Sequence, residues 1–147
     1  MDEVIKKTIL WLDDDFKTPA LRTEKDELLR RNYSIIATDN PDAFMEALSK
    51  EDFDCIVMDI TLPLGSLIKP GEAKRGMRTG LVILNSIIAN EELSSVPIVV
   101  YTIVEDQDVK EFCKKYNVLY ISKLDAMPWT LAKQLDNLLT GNSDENE

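Results

Sequence analysis

Two aspartates follow directly on an apolar run near the start of the chain, Ile9-Leu10-Trp11-Leu12-Asp13-Asp14, with Asp15 after them. A second apolar run, Cys55-Ile56-Val57-Met58, ends in Asp59. Two further runs end in groups that suit anions. Pro97-Ile98-Val99-Val100-Tyr101 leads into Thr102, and Val118-Leu119-Tyr120-Ile121 into Ser122-Lys123. Carboxylates crowded at one edge repel each other, so they take up a cation or bind protons more tightly. Oxygen donors without His or Cys suit a hard divalent ion, Mg2+ or Mn2+. Mg2+ keeps several waters and is commonly shared with phosphate oxygens. Lys123 offers a point charge to a further oxyanion, and Thr102 a hydroxyl donor. Acid pair, central Asp59, Thr102 and Lys123 form the inventory needed to hold a phosphoryl group. An ionised carboxylate such as Asp59 can itself be the nucleophile and form an aspartyl phosphate.

Composition narrows the chemistry further. The 147 residues contain no histidine, which excludes a Ser-His-Asp triad, a Cys-His pair and a His-ligated zinc. A net charge of −10, from 27 acidic against 17 basic residues, argues against nucleic-acid binding, which needs a basic face. The two cysteines, Cys55 and Cys113, sit in apolar periodic segments and read as small buried hydrophobes in a reducing compartment. Met1-Asp2-Glu3 opens no signal peptide, and the apolar runs are too short to span a bilayer. A cytoplasmic protein without membrane contact is expected.

The elements that must position these residues are legible from periodicity. The four runs above and Ser34-Ile35-Ile36-Ala37 are continuous, short and rich in β-branched residues, as strands buried on both faces are. Helical spacing lies between them: Leu81, Leu84, Ile87, Ile88; Val109, Phe112, Cys113, Tyr116; and Leu131, Leu135, Leu138, Leu139. Phe44, Ala47 and Leu48 follow Asn40-Pro41, an N-cap with proline at the first helical position. A weaker pattern over Phe16–Arg31 places Leu21, Leu28 and Leu29 on one face, with Asp15 as its cap. Trp11 and Trp129 read as packing residues. Strict β-α alternation predicts a doubly wound parallel sheet of five strands with helices on both faces, and the order expected of it is the common flavodoxin-like 2-1-3-4-5. Ligands of such sheets bind at the carboxyl ends of the strands. That order makes the strands ending in Asp13 and Asp59 neighbours.

One connection is abnormally long, about residues 60–78, where ~2–6 residues are usual. Residues 64–78 carry Lys69, Lys74, Arg75 and Arg78 against Glu72, a local +3. The reading is one domain over residues 1–141 containing this basic loop, then an acidic tail, 142–147.

In these motifs the chain resembles the receiver domain of two-component response regulators, the CheY-like superfamily. Leu12-Asp13-Asp14 resembles its acid pair. Met58-Asp59-Ile60-Thr61-Leu62-Pro63 resembles the phosphoacceptor strand, with proline four residues after the aspartate. Val99-Val100-Tyr101-Thr102 and Tyr120-Ile121-Ser122-Lys123 resemble the fourth and fifth strands. The resemblance implies that Asp59 accepts a phosphoryl group from a histidine kinase or phosphotransfer protein. It implies Mg2+ (or Mn2+) held by Asp14, Asp59 and the Thr61 carbonyl, with Asp13 acting mostly through water. Thr102 and Lys123 would contact the phosphoryl group, and Tyr120 would turn inward as Thr102 moves. The outcome would be a switch in binding to a downstream protein, with homodimerisation through the fourth helix, fifth strand and fifth helix as an option. Such a module is not a free-standing enzyme.

Three features depart from the receiver pattern. Leu124 stands where a proline is usual, often with a cis bond before it. Ile103 follows Thr102 where a small residue is usual, and a bulky side chain there restricts access to Asp59. The basic loop is the third. Two alternatives follow: a phosphorylation-silent receiver-like scaffold, and a haloacid-dehalogenase-like phosphohydrolase with Asp13 as nucleophile and Asp15 as general acid. The second leaves Asp59 without a role.

Overall fold

The computed structural model describes residues 6–62 and 78–140. Five parallel strands, β1 (Lys7–Leu12), β2 (Tyr33–Thr38), β3 (Cys55–Met58), β4 (Ile98–Thr102) and β5 (Leu119–Ser122), form one sheet in the order β2-β1-β3-β4-β5. Helices α1 (Arg22–Arg30), α2 (Pro41–Lys50), α3 (Thr79–Ile88), α4 (Gln107–Lys115) and α5 (Thr130–Thr140) alternate with them. This is the doubly wound, flavodoxin-like arrangement that the sequence predicts. Among the described residues no helix is long and apolar enough to cross a membrane.

The continuous strand runs divide between two cores because successive side chains point to opposite faces. Leu10 and Leu12 of β1 join Phe44, Leu84 and Val109 on the face covered by α2, α3 and α4. Ile9 and Trp11 join Leu28, Leu131 and Leu135 on the face covered by α1 and α5. Burying a side chain of this kind is worth about 1.5–3 kcal/mol, so the central strands hold the sheet. Cys55 and Cys113 are free thiols, one in each core.

Local chemistry sets the helix ends. The Asn40 side chain accepts from the Ala43 N–H at 2.8 Å, with Pro41 in the first turn of α2. Asn32 (φ 70°) and Asn117 (φ 58°) take the left-handed conformation that ends α1 and α4 before β2 and β5. The helix expected from Phe16 starts only at Arg22. The chain first makes a short 3-10 turn, Pro19–Leu21, capped by Thr18, whose hydroxyl oxygen accepts from Ala20 N–H. Asp15 therefore caps no helix. Its carbonyl instead accepts from the Thr18 N–H and hydroxyl. Leu21 and Leu28 are buried, but Leu29 is exposed. Trp11 is fully buried, whereas Trp129 is exposed and is no core residue.

The ladder positions the strand ends. Leu12 pairs with Met58, and the Asp59 N–H continues the ladder to Leu12 O at 2.9 Å. Asp13 and Asp59 are thus next in register on adjacent strands. Across the sheet, Lys123 N–H donates to Thr102 O at 2.8 Å. The start of α3 is fastened beside Asp59: Gly80 N–H donates to Ile60 O (2.8 Å), and the buried Thr79 hydroxyl to Leu62 O (3.0 Å). Pro63, most of the basic loop and the acidic tail lie outside the described residues.

Gly80 leaves no space for a side chain. A Cβ there would stand 2.2 Å from Asp59 O and 2.7 Å from Ile60 Cα, both backbone atoms. Gly80→Ala is expected to destabilise the protein by about 2 kcal/mol or more, the scale of overpacking against backbone that must shift. Urea unfolding followed by Trp11 fluorescence measures it, and wild-type stability would contradict the close approach.

Candidate functional site

Carboxylate oxygens of Asp13, Asp14 and Asp59 lie within 4.8 Å of one another. Asp13 and Asp59 are buried and Asp14 is exposed. Lys123 stands between the two buried acids, with Nζ 2.7 Å from Asp13 Oδ2 and 3.1 Å from Asp59 Oδ2. The other oxygen of each faces backbone: Asp13 Oδ1 accepts from Asp15 N–H (2.9 Å) and Asp59 Oδ1 from Ile60 N–H (2.7 Å). Lys123 Nζ also lies 5.7 Å from the centre of the Tyr101 ring, whose hydroxyl donates to Glu24 at 2.6 Å.

One ammonium does not offset three carboxylates. Burial and then Asp59 push the Asp13 carboxyl up to about 6, despite Lys123. Burial, Asp15 and Asp59 raise Asp14 as well. For Lys123, burial disfavours the charged form, but Asp59 and Asp13 together outweigh it and raise its pKa. Among the described residues the cluster is short of positive charge, and its donors are all carboxylate oxygen. Both properties fit a hard divalent cation.

A cavity of about 360 Å3 opens on the cluster, lined by Asp14, Asp15, Glu24, Asp59, Thr61, Ile103 and Lys123, with Ala20 and Leu21. Asp13 is not on its wall. A larger cleft, about 610 Å3, lies at the opposite end of the strands around Pro97, Tyr116 and Leu138, and among the described residues no charged one lines it. The chemistry therefore belongs to the smaller cavity.

Thr102 and Tyr120 meet at one residue, Val104. The buried Thr102 Oγ1 accepts from Val104 N–H at 3.2 Å, and the half-buried Tyr120 hydroxyl donates to Val104 O at 2.6 Å. Met58 pairs with Val100, so Asp59 and Thr102 leave neighbouring strands at nearly one level. Leu124 has its own use. Its N–H donates to Ser122 Oγ (3.2 Å), a bond proline could not make, and the Ser122 hydroxyl donates to Glu105 (2.8 Å). Among the described residues there is no cis peptide.

Sequence reasoning missed Gly80, Thr79, Glu24, Tyr101 and the Arg78 pairs. Arg78-Thr79-Gly80 directly before a helical pattern was the one available signal, since glycine inside a helix start marks a close approach.

No protein-family model matches the chain, and no curated protein matches it. Solved structures do. Chemotaxis response regulator CheY4 of Vibrio cholerae is 18% identical, with 92% of this chain and 100% of that one covered at a TM-score of 0.70. The receiver domain of RcsB from Salmonella enterica serovar Typhimurium, solved with phosphomimetic BeF3-, is 17% identical, with 95% and 92% covered at 0.73. The Mn2+-bound form of response regulator Rcp1 is 19% identical, with 93% and 97% covered at 0.70. The chain has the fold of CheY-like receiver domains.

At Asp13 a proton would compete with a bound cation. The cation would bind the ionised form, so affinity would be full well above pH 6, about half at pH 6 and falling below it. Between pH 7.5 and 5, calorimetry is expected to show Mg2+ affinity falling about tenfold, as one proton at a pKa of about 6 requires. Without cation, the raised pKa favours the folded state when Asp13 is protonated. Its contribution therefore declines as pH rises from the ordinary 3.8 to about 6. A pH-independent affinity would contradict the placement of Asp13.

Proposed function

We propose that the chain is a phosphoacceptor in two-component signalling, with Asp59 as the acceptor and a phosphohistidine on another protein as the donor. The observation that carries this is the pairing of Asp59 with Lys123 on the wall of an open cavity, beside further carboxylates. An Asp59 oxygen attacks phosphorus, the P–O bond forms as the P–N bond of phosphohistidine breaks, and the imidazole leaves with the bonding pair. The chain's lack of histidine accords with a donor on another protein.

Each nearby residue has a task. Lys123 moves from the carboxylates toward the phosphoryl oxygens as a charge partner. Mg2+ or Mn2+, held by Asp13, Asp14, Asp59 and the Thr61 carbonyl, would neutralise charge on those oxygens. Thr102 donates its hydroxyl to the phosphoryl group and loosens from Val104. Tyr120 holds the carbonyl of the same residue, Val104, and responds, so the face of α4, β5 and α5 changes its affinity for a downstream protein or a second copy of the chain. The module signals and does not turn over a small-molecule substrate. The phosphohydrolase alternative has less support, because Asp13 is fully buried and off the cavity wall, whereas Asp59 lines it.

The test is incubation with Mg2+ and acetyl phosphate, or with a phosphorylated histidine kinase, followed by intact mass measurement. An added phosphoryl mass is expected, and Asp59→Asn should abolish it. Asp13→Asn should keep the label at Asp59 and weaken its cation dependence. Lys123→Ala should slow labelling about a hundredfold or more, the scale of losing one preorganised charge partner. No labelling with either donor would indicate a silent scaffold. Steady ester hydrolysis that requires Asp13 would indicate the phosphohydrolase.

A further inference from the structure

The connector between Thr102 and α4 is tied at successive residues. Val104 is held by Thr102 and Tyr120, and Glu105 by Ser122. Asp106, the N-cap residue of α4, accepts from Arg78 Nη2, and Asp108 in the first turn accepts from Arg78 Nε at 2.9 Å. The Arg78 side chain is only 10% exposed, against 60% and 48% for its two partners. Arg78 belongs to the other connection. It immediately precedes Thr79 and Gly80, which fasten α3 to the segment that follows Asp59. The Glu105 and Tyr120 ties run to β5, but this one joins the segment leaving β3 to the segment leaving β4. The connector also carries Ile103, which is 59% exposed and lines the cavity that opens on Asp59.

We propose that Arg78 is a latch: its pairs with Asp106 and Asp108 hold the connector so that Ile103 stands at the mouth of the Asp59 cavity and limits access to Asp59. The latch governs how fast a donor reaches the acceptor, and in that role it rests on the phosphoacceptor reading. Access to position 59 is a property of the chain whatever the donor. The carboxylates are half exposed, so salt screens the latch and ionic strength tunes the gate.

Access is measured with Asp59→Cys and iodoacetamide in the full chain. Cys55 and Cys113 stay silent there, being buried with thiols pushed up to about 12 and about 11. Asp106→Asn with Asp108→Asn keeps side-chain shape and removes the charge partners. It is expected to speed alkylation about threefold or more, within what loss of a part-exposed ion pair permits. Ile103→Ala should speed it at least as much, and the latch change should add nothing on top of Ile103→Ala. Arg78→Lys should fall between, because an ammonium does not reproduce the guanidinium fork. About 0.5 M salt should accelerate the parent but not the Asn pair.

Rates that ignore Asp106 and Asp108, or that add independently to Ile103→Ala, overturn the latch. The same substitutions are then made with Asp59 in place and labelled by acetyl phosphate. Labelling in the same order supports the full proposal. Latch-dependent alkylation with no labelling of any chain keeps the gate and removes the phosphoacceptor reading. Labelling that ignores the latch while alkylation obeys it overturns the proposed control of donor access.

Discussion

A single ammonium between two buried carboxylates organises the upper edge of this sheet. Lys123 reaches Asp13 and Asp59 from β5, across β4 and β3, and no local preference of the chain would place those three groups together. The backbone does it. The β1–β3 register sets Asp13 beside Asp59, and the bond from Lys123 N–H to Thr102 O carries the β4–β5 ladder one residue past the strand. The arrangement is electrostatically unfavourable without a cation, as the upward shift of Asp13 shows. Two apolar cores on the faces of the sheet offset that local cost, which is how folded domains sustain poorly satisfied functional sites.

Strand-end chemistry was readable because a parallel sheet covered on both faces writes itself as uninterrupted apolar runs, and the first polar residue after each run marks the edge. Asp13, Asp59, Thr102 and Lys123 were found in this way. The parallel sheet followed from alternation and handedness, and its order from the common flavodoxin-like arrangement. What could not be read depended on approach between distant segments. Gly80 looks like an ordinary weak helix residue until α3 is laid against the Asp59 backbone. Arg78 and Asp108 are 30 positions apart with no pattern between them. Leu29 fits the apolar face of α1 by spacing but lies beyond its buried edge, one position past the buried Leu28.

Departures from the receiver pattern fall around the donors, not among them. The carboxylates, hydroxyl and lysine are all present, while Ile103, Leu124 and the loop ending at Arg78 differ. Leu124 contributes an N–H to Ser122 that proline lacks, and Ser122 in turn holds Glu105. The residue after Lys123 thereby bears on the connector after Thr102. Arg78 bears on the same connector from the opposite side. Changes at three separate points of the sequence converge on one short segment.

Under the proposed function, that segment is also where acceptor and output face would meet. Val104 offers its N–H to Thr102 and its carbonyl to Tyr120, so the two hydroxyls hold opposite ends of neighbouring peptide groups. Each peptide unit is rigid and the two are hinged at the Val104 Cα, so turning the one bonded to Thr102 changes the backbone torsions that set the direction of the Val104 carbonyl. Buried polar groups do not remain unpaired cheaply. A phosphoryl group that claims the Thr102 hydroxyl therefore changes which geometry suits Tyr120, without needing a long chain of intermediates. How readily that change occurs depends on how firmly the connector is pinned. In this chain the pinning is shared among Tyr120, Ser122 and the Arg78 pairs, so the contacts proposed to control entry to Asp59 would also set the stiffness of its readout.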